Sequence, residues 1–201
     1  LDTLNMWSSV RKGEFKWIYH TQEGANYVFN SFSAYELSVM KKYDLEGMKL
    51  VQFVVPEKPE HPYRCKNIVP NSWVMAGTHD NEPIRMWASK LVNSEKANPY
   101  IKNLIEDLCS EFGNQDEIWH RMYTDEKFFG FMKLVECFAS KSENVQIFFT
   151  DFFGINEVYN TPGTSGDPNW TLRLSNNFEE FYKENLRGIC LRGNAADGVL
   201  E

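Results

Sequence analysis

The chain has 201 residues, a formal net charge of −7, and 42% hydrophobic, 15% aromatic and 24% charged residues. That length and apolar content can bury a real core and exclude a disordered chain. The acidic balance argues against a nucleic-acid binder with a broad basic face, and no run approaches the roughly 18 apolar residues of a membrane helix. No charged head followed by an apolar stretch opens the chain, so no signal peptide is expected. The first residue is Leu1 rather than Met, which reads as a piece of something longer or a processed product.

Residues 1–32 mix aromatics with charges and give no clear pattern. From Ser33 the spacing predicts a helix, with Ser33 and Glu36 as a capping box and Gly47 as terminator. Met48 to Val55 is an apolar run closed by Pro56 and reads as a buried strand. Pro56, Pro59, Pro62 and Pro70 make the next segment a long loop. Trp73–Gly77 reads as a second strand.

Residues 83–96 are predicted helical, opening at Pro83. Two further helices are expected over about Pro99–Phe112 and Glu126–Ala139. Val145–Thr150 reads as a third strand, followed by an irregular stretch from Asp151 to Trp170. A last amphipathic helix is expected over Phe178–Leu186. Residues 191–201 are expected to be disordered or a cloning remnant. Strands alternating with helices predict an α/β fold with parallel pairing.

The four cysteines, Cys65, Cys109, Cys137 and Cys190, form no CxxC pair. They read as reduced, mostly buried thiols of a cytoplasmic protein rather than a zinc site. No two histidines stand at i, i+4 spacing, and Asp80 and Asp167 are too isolated to argue for calcium. No metal and no other cofactor is expected.

Ligand sites of parallel α/β proteins lie just beyond the C-terminal ends of strands. Two segments fall there. Gly77-Thr78-His79-Asp80-Asn81-Glu82 sets an imidazole, a carboxylate and an amide side by side, a set able to bond several hydroxyls of a polyol or sugar. The competing reading is an ordinary turn, since Asp and Asn favour turns. Asn156 to Thr164, with Asp167, Asn169 and Trp170 behind it, offers amides and aromatic rings that suit a carbohydrate. Its competing reading is a rigid turn held by Pro162 and Gly163.

These segments carry a resemblance. Glu46-Gly47-Met48-Lys49-Leu50-Val51-Gln52-Phe53, Ala76-Gly77-Thr78-His79-Asp80-Asn81-Glu82, Asp151 to Gly154, and Tyr159-Asn160-Thr161-Pro162-Gly163-Thr164 with Asn169-Trp170 and Arg173 resemble, in order, four motifs of the 4-α-glucanotransferases of glycoside hydrolase family 77. The resemblance covers about residues 33–190 and corresponds to the family's C-terminal part. It implies a partial (β/α)₈ barrel, holding the late strands and helices only, and a substrate that is maltodextrin or another α-1,4-glucan. It also implies retaining transfer through a glycosyl-enzyme intermediate, with two carboxyl groups about 5–5.5 Å apart.

By this resemblance Asp80 is the third carboxylate, a transition-state stabiliser. His79, Asn81, Asn160 and Phe53 are substrate-binding residues. An aspartate in a polar sugar site can stabilise developing positive charge electrostatically. The family's nucleophile segment has no counterpart here. Counting back from Gly47-Met48 places Tyr27 where the acid/base Glu should stand, with Glu23 the nearest carboxylate. The isolated chain is therefore expected to be inactive. The alternative is a non-catalytic glucan-binding or scaffold protein derived from the family. A complete barrel takes about 250 residues, so self-association through unpaired barrel surfaces is a further expectation.

Overall fold

A computed structural model describes residues 39–44, 46–174, 176–180 and 182–183. The chain divides into two compact units, Leu1–Glu46 and Gly47–Glu201. In the first, residues 39–42 are helical. They are the described part of the helix expected from Ser33; its capping box, Tyr27 and Glu23 lie outside the described residues, as does the expected tail.

Among its described residues the second unit is built on three short parallel strands in the order β1 (Met48–Leu50), β2 (Trp73–Met75) and β3 (Asn144–Gln146). Met48, Lys49 and Leu50 pair with Trp73, Val74 and Met75, which pair in turn with Asn144, Val145 and Gln146. The expected parallel pairing is therefore present. Between β2 and β3 stand α1 (Ile84–Ser89), α2 (Asn98–Leu108), α3 (Gln115–Thr124) and α4 (Glu126–Ala139). A short α5 (Phe149–Phe153) follows β3.

The strands are shorter than their apolar runs. After Leu50 the chain turns into a 3₁₀ segment, Val51–Phe53, and the Gln52 amide donates to the Ala76 carbonyl at 3.1 Å. Val51 and Val54 stay buried without being strand. Thr150 lies in α5 rather than in β3. Its burial is complete at 1% exposure, and its β-branched side chain ends the run that the sequence pattern reads as strand.

The helices also differ from their sequence pattern. The expected 83–96 helix stops at Ser89. Asn93 has a φ of 58°, and its amide donates to the Tyr123 carbonyl, so the chain is drawn out of the helix. The start of α1 is held by Asp151, whose Oδ1 accepts from the Ile84 amide at 2.6 Å. The helix α3 was not expected. Its apolar and aromatic positions, Ile118, Trp119, Met122 and Tyr123, form two short pairs split by His120 and Arg121. The acidic residues Asp116 and Glu117 in its first turn are the signal that could have found it. The helix α4 runs over the expected residues and is capped by the Asp125 carboxylate, which accepts from the Lys127 and Phe128 amides.

The α4 helix packs on the sheet. Cys137 joins Val51, Ile68 and Val74 in one apolar cluster, and Leu134 joins Ala76 and Ile84 in another. A third cluster, around Ile101, Leu104, Met122 and Phe129, binds α2, α3 and α4 together. The helices α1 and α4 approach closely at Gly130, where a Cβ would stand 3.2 Å from the Arg85 Cα.

The proline-rich loop is tied down by polar contacts. Arg64, 3% exposed, donates to both carboxylate oxygens of Asp107 at 2.9 and 2.8 Å and to Glu106 at 2.6 Å. Asn103 donates to the Pro56 carbonyl. The guanidinium holds the Glu106 carboxyl below the usual range.

Cys65, Cys109 and Cys137 are free and buried. Burial, with Glu136 and Asp107 nearby, pushes the Cys65 thiol up to about 12. Only a thiolate alkylates readily. Iodoacetamide at about pH 8 is therefore expected to leave these three unmodified in the folded chain and to label all of them in urea. Peptide mass mapping checks this, and native labelling of Cys65 would contradict it.

Candidate functional site

The site is assembled at the C-terminal ends of β1 and β2 and on the long loop after α5. The β2 strand ends at Met75, and Ala76-Gly77 leads into the turn Thr78–Asn81. The Asn81 amide donates to the Thr78 carbonyl at 3.0 Å. The Asn81 Oδ1 accepts from the Thr78 amide at 2.8 Å and from its hydroxyl at 2.9 Å. Asn81, expected to contact substrate, thus spends its carbonyl oxygen on the turn. Both readings of this segment meet here: the turn is real, and it presents His79 and Asp80 outward.

His79 and Asp80 have side-chain exposures of 46% and 44%. The Asn160 amide nitrogen donates to Asp80 Oδ1 at 2.6 Å. The His79 Nε2 lies 3.4 Å from that same oxygen. The Trp170 ring stands against His79, centroids 4.9 Å apart and planes tilted by 48°. Residues 80 positions apart in sequence therefore form one polar cluster with an aromatic wall.

The long loop is cross-linked by its own hydrogen bonds. The Trp170 amide donates to the Tyr159 carbonyl at 2.7 Å, closing the base of the loop. The Thr161 amide donates to Asn169 Oδ1, and Asn169 Nδ2 donates to the Thr164 hydroxyl. Tyr159 packs on Phe148 and Phe149 with centroids 5.2 and 5.1 Å away. Arg173 donates to the Trp170 carbonyl. Trp170 itself has a φ of 62°, a conformation rare for a bulky residue, and is 54% exposed. Backbone outliers of this kind cluster at ligand sites. The sequence places Trp170 among the rings that suit a carbohydrate, but its contact with His79 needs the fold.

Phe53 sits half-buried in the 3₁₀ turn at the end of β1, on the same edge of the sheet. The residue beside it, Gln52, links the two strand ends. Its Nε2 donates to the Glu82 carbonyl at 2.8 Å. Its Oε1 occupies the space that a Cβ on Gly77 would fill, 2.2 Å away. Neither Gln52 nor Gly77 was singled out from sequence for this role.

Among the described residues no group of three or more His, Cys, Asp or Glu is placed to hold a metal ion. Among the same residues no helix is long and apolar enough to cross a membrane. The side chains present are hydrogen-bonding and aromatic, with one carboxylate at the centre. Such a set can bond hydroxyl groups and place negative charge beside a developing cation.

A parallel α/β sheet with a polar cluster beyond its strand ends is the layout of α/β proteins that hold ligands at that edge. The family model of the glycoside hydrolase family 77 4-alpha-glucanotransferases matches residues 36–178, and the chain belongs to this family.

A chloroplastic/amyloplastic 4-alpha-glucanotransferase of Solanum tuberosum is 34% identical over 76 residues, covering 37% of this chain and 13% of the relative. A chloroplastic/amyloplastic 4-alpha-glucanotransferase of Arabidopsis thaliana is 27% identical over 154 residues, covering 75% of this chain and 24% of the relative. The chain thus spans a quarter or less of these relatives.

Two solved structures share the fold. The amylomaltase of Streptococcus agalactiae, in complex with acarbose, aligns with a TM-score of 0.58 at 21% identity, over 81% of this chain and 29% of that one. The amylomaltase of Corynebacterium glutamicum aligns with a TM-score of 0.56 at 15% identity, over 83% and 27%.

Proposed function

We propose that this chain supplies the Asp80-bearing part of a 4-alpha-glucanotransferase, which transfers α-1,4-glucan segments between maltodextrins by a retaining double displacement. The observation that carries the reading is the convergence of Asp80, Asn160, His79 and Trp170 at one sheet edge. In this reading the three parallel strands are the late strands of a (β/α)₈ barrel. The sheet edges at β1 and β3 then meet the remaining strands or a second copy of the chain.

Each residue has a task in the proposed site. Asp80 grips ring hydroxyls and stabilises the oxocarbenium-like state electrostatically. Asn160 fixes the Asp80 carboxylate by donating to Oδ1. His79 bonds hydroxyls in the same subsite, and Trp170 gives an apolar face to a sugar ring. Phe53 lines the acceptor side. The nucleophile and the acid/base needed for retention are not identified in this chain, and the proposal assigns them to the rest of the protein.

A second reading, a glucan-binding protein without catalysis, is favoured by one feature: Tyr27 stands where the acid/base carboxylate is expected. Both readings place glucan at Asp80. The isolated chain is expected to bind acarbose in calorimetry, and Asp80→Ala to weaken that binding by about tenfold or more. Incubation with maltotriose is expected to yield neither glucose nor longer maltodextrins. Unchanged binding in the Asp80 variant would remove the site assignment. Clear disproportionation would show that the chain holds its own nucleophile and acid/base.

A further inference from the structure

The helix α1 has no side-chain cap from its own end. Its N-cap residue is Pro83, and no acidic residue stands in its first turn. The Ile84 amide is one of the donors that a helix start leaves without a partner inside the helix. It is met from 67 positions away, by Asp151 Oδ1 at 2.6 Å. Asp151 is 5% exposed and lies within α5. A Ser, Thr or Asp at position 83 would cap the helix locally. A cap drawn from a distant segment also fixes two segments to each other.

Those two segments carry the two halves of the site. On one side, Asp80 lies four positions before Ile84, and only Glu82 and Pro83 separate the 78–81 turn from α1. The proline ring restricts φ to about −65°, and Pro83 has −54°. The Gln52 Nε2 also holds the Glu82 carbonyl at 2.8 Å. A shift of the α1 start is therefore passed to the turn with little slack. On the other side, Tyr159 packs on Phe148 and Phe149, at the start of α5, and Asn160 follows it directly. A second, longer tie joins the same elements: Arg85 of α1 donates to the Gly154 carbonyl at the end of α5, at 3.4 Å. The contacts close a ring. It runs from Asp80 to Ile84, across to Asp151, through α5 to Tyr159 and Asn160, and back to Asp80 at 2.6 Å.

We infer that Asp151 is a positioning residue for the Asp80 cluster: its carboxyl pins the start of α1 to α5 and thereby sets Asn160 within hydrogen-bond reach of Asp80. Its role is indirect, exerted through the 78–81 turn and the loop after α5. Its bearing on glucan binding rests on the function proposed above; its bearing on the Asn160–Asp80 bond does not.

The test compares the isotope-labelled chain with Asp151→Ala and Asp151→Asn. The Asn160 side-chain amide is followed without ligand, and acarbose is then titrated. Asp80→Ala marks where the Asn160 signals fall when the bond is absent. In Asp151→Ala they are expected to move toward those positions, and acarbose binding to weaken by about tenfold. Asn caps a helix about as well as Asp and keeps the acceptor at the same reach. Asp151→Asn should therefore return the signals to their wild-type positions and binding to within about threefold. Asp151→Ser, whose hydroxyl is shorter, takes the place of the alanine variant if that one does not fold. A loss of helix stability alone would lower the melting temperature without moving the Asn160 signals. Wild-type Asn160 signals in a folded Asp151→Ala or Asp151→Ser chain would overturn the inference and leave the functional reading standing. An Asn variant as impaired as the alanine one would overturn it too. Asn160 signals that move in Asp151→Ala, in a chain that does not bind acarbose even as wild type, would support the inference and sink the functional reading.

Discussion

Replacing Lys133 by Met is expected to destabilise the fold by about 3–5 kcal/mol. Lys133 and Glu136 are 1% and 3% exposed and pair side by side on α4. The ammonium also lies 5.8 Å from the centre of the Trp87 ring. Removing one partner of a buried pair strands the other charge in a low-dielectric site. Burial already drives the Glu136 carboxyl up, and Lys133 pulls it back down. Without Lys133 the carboxyl must take a proton or stay charged and unpaired.

The pH dependence follows from that direction. A carboxyl raised by folding contributes most below its unfolded value, near 4.3, and that contribution is lost as pH rises through the folded value. The variant's deficit should therefore be smallest in acid and grow toward neutral pH. Chemical denaturation at about pH 4 and pH 7 measures it. Exchanging both members, Lys133→Met with Glu136→Leu, should recover most of the loss. A single variant as stable as the wild type at neutral pH would mean that the pair is not buried as described.

The second large effect is expected at Gly77. An alanine Cβ would meet Gln52 Oε1 at 2.2 Å, Gln52 Cδ at 3.0 Å and Asn81 Cβ at 3.2 Å. A long flexible side chain could swing clear. Gln52 cannot do so freely, because it is 5% exposed and its Nε2 is bonded to the Glu82 carbonyl. Gly77→Ala should cost about 1–3 kcal/mol, the range for overpacking. It should also displace the 78–82 turn and weaken glucan binding at Asp80. Gln52→Ala removes the obstructing oxygen, so the double variant should be more stable than Gly77→Ala alone. Thermal melts of the three variants form the cycle. Simple additivity would show that the two residues are not coupled.

These two sites mark where sequence reading succeeds and where it stops. The parallel strands were legible because short apolar runs with β-branched residues stand between turn residues, as at Val74 and Val145. Their lengths were not, because Val51, Val54 and Thr150 are just as buried in tight turns and a helix. The α4 helix was legible from its dense apolar face. The α3 helix was hidden, because its apolar residues fall in two short pairs, Ile118-Trp119 and Met122-Tyr123, whose burial depends on packing in the cluster with α2 and α4. No local pattern marks Lys133 and Glu136 as enclosed; only tertiary packing shows it.

The site divides in the same way. The motif segments at 77–82 and 156–170 could be named from their position after apolar runs. Their meeting at 2.6 Å between Asn160 and Asp80 could not. Asn81 shows the limit of reading motifs one residue at a time. Its side-chain oxygen shapes the turn that presents its neighbours. Gln52 and Gly77 act through space between two strand ends, which no local pattern records.

The central claim is that the Asp80 cluster, built without a nucleophile or acid/base in view, is a glucan-binding surface. The most direct measurement is a residue-resolved amide titration of the intact chain with acarbose. The account predicts saturable shifts at His79, Asp80, the Asn160 side-chain amide and the Trp170 indole, lost together in Asp80→Ala. A folded chain that shows no change at those four positions, at ligand concentrations that saturate an intact glucanotransferase, would contradict it.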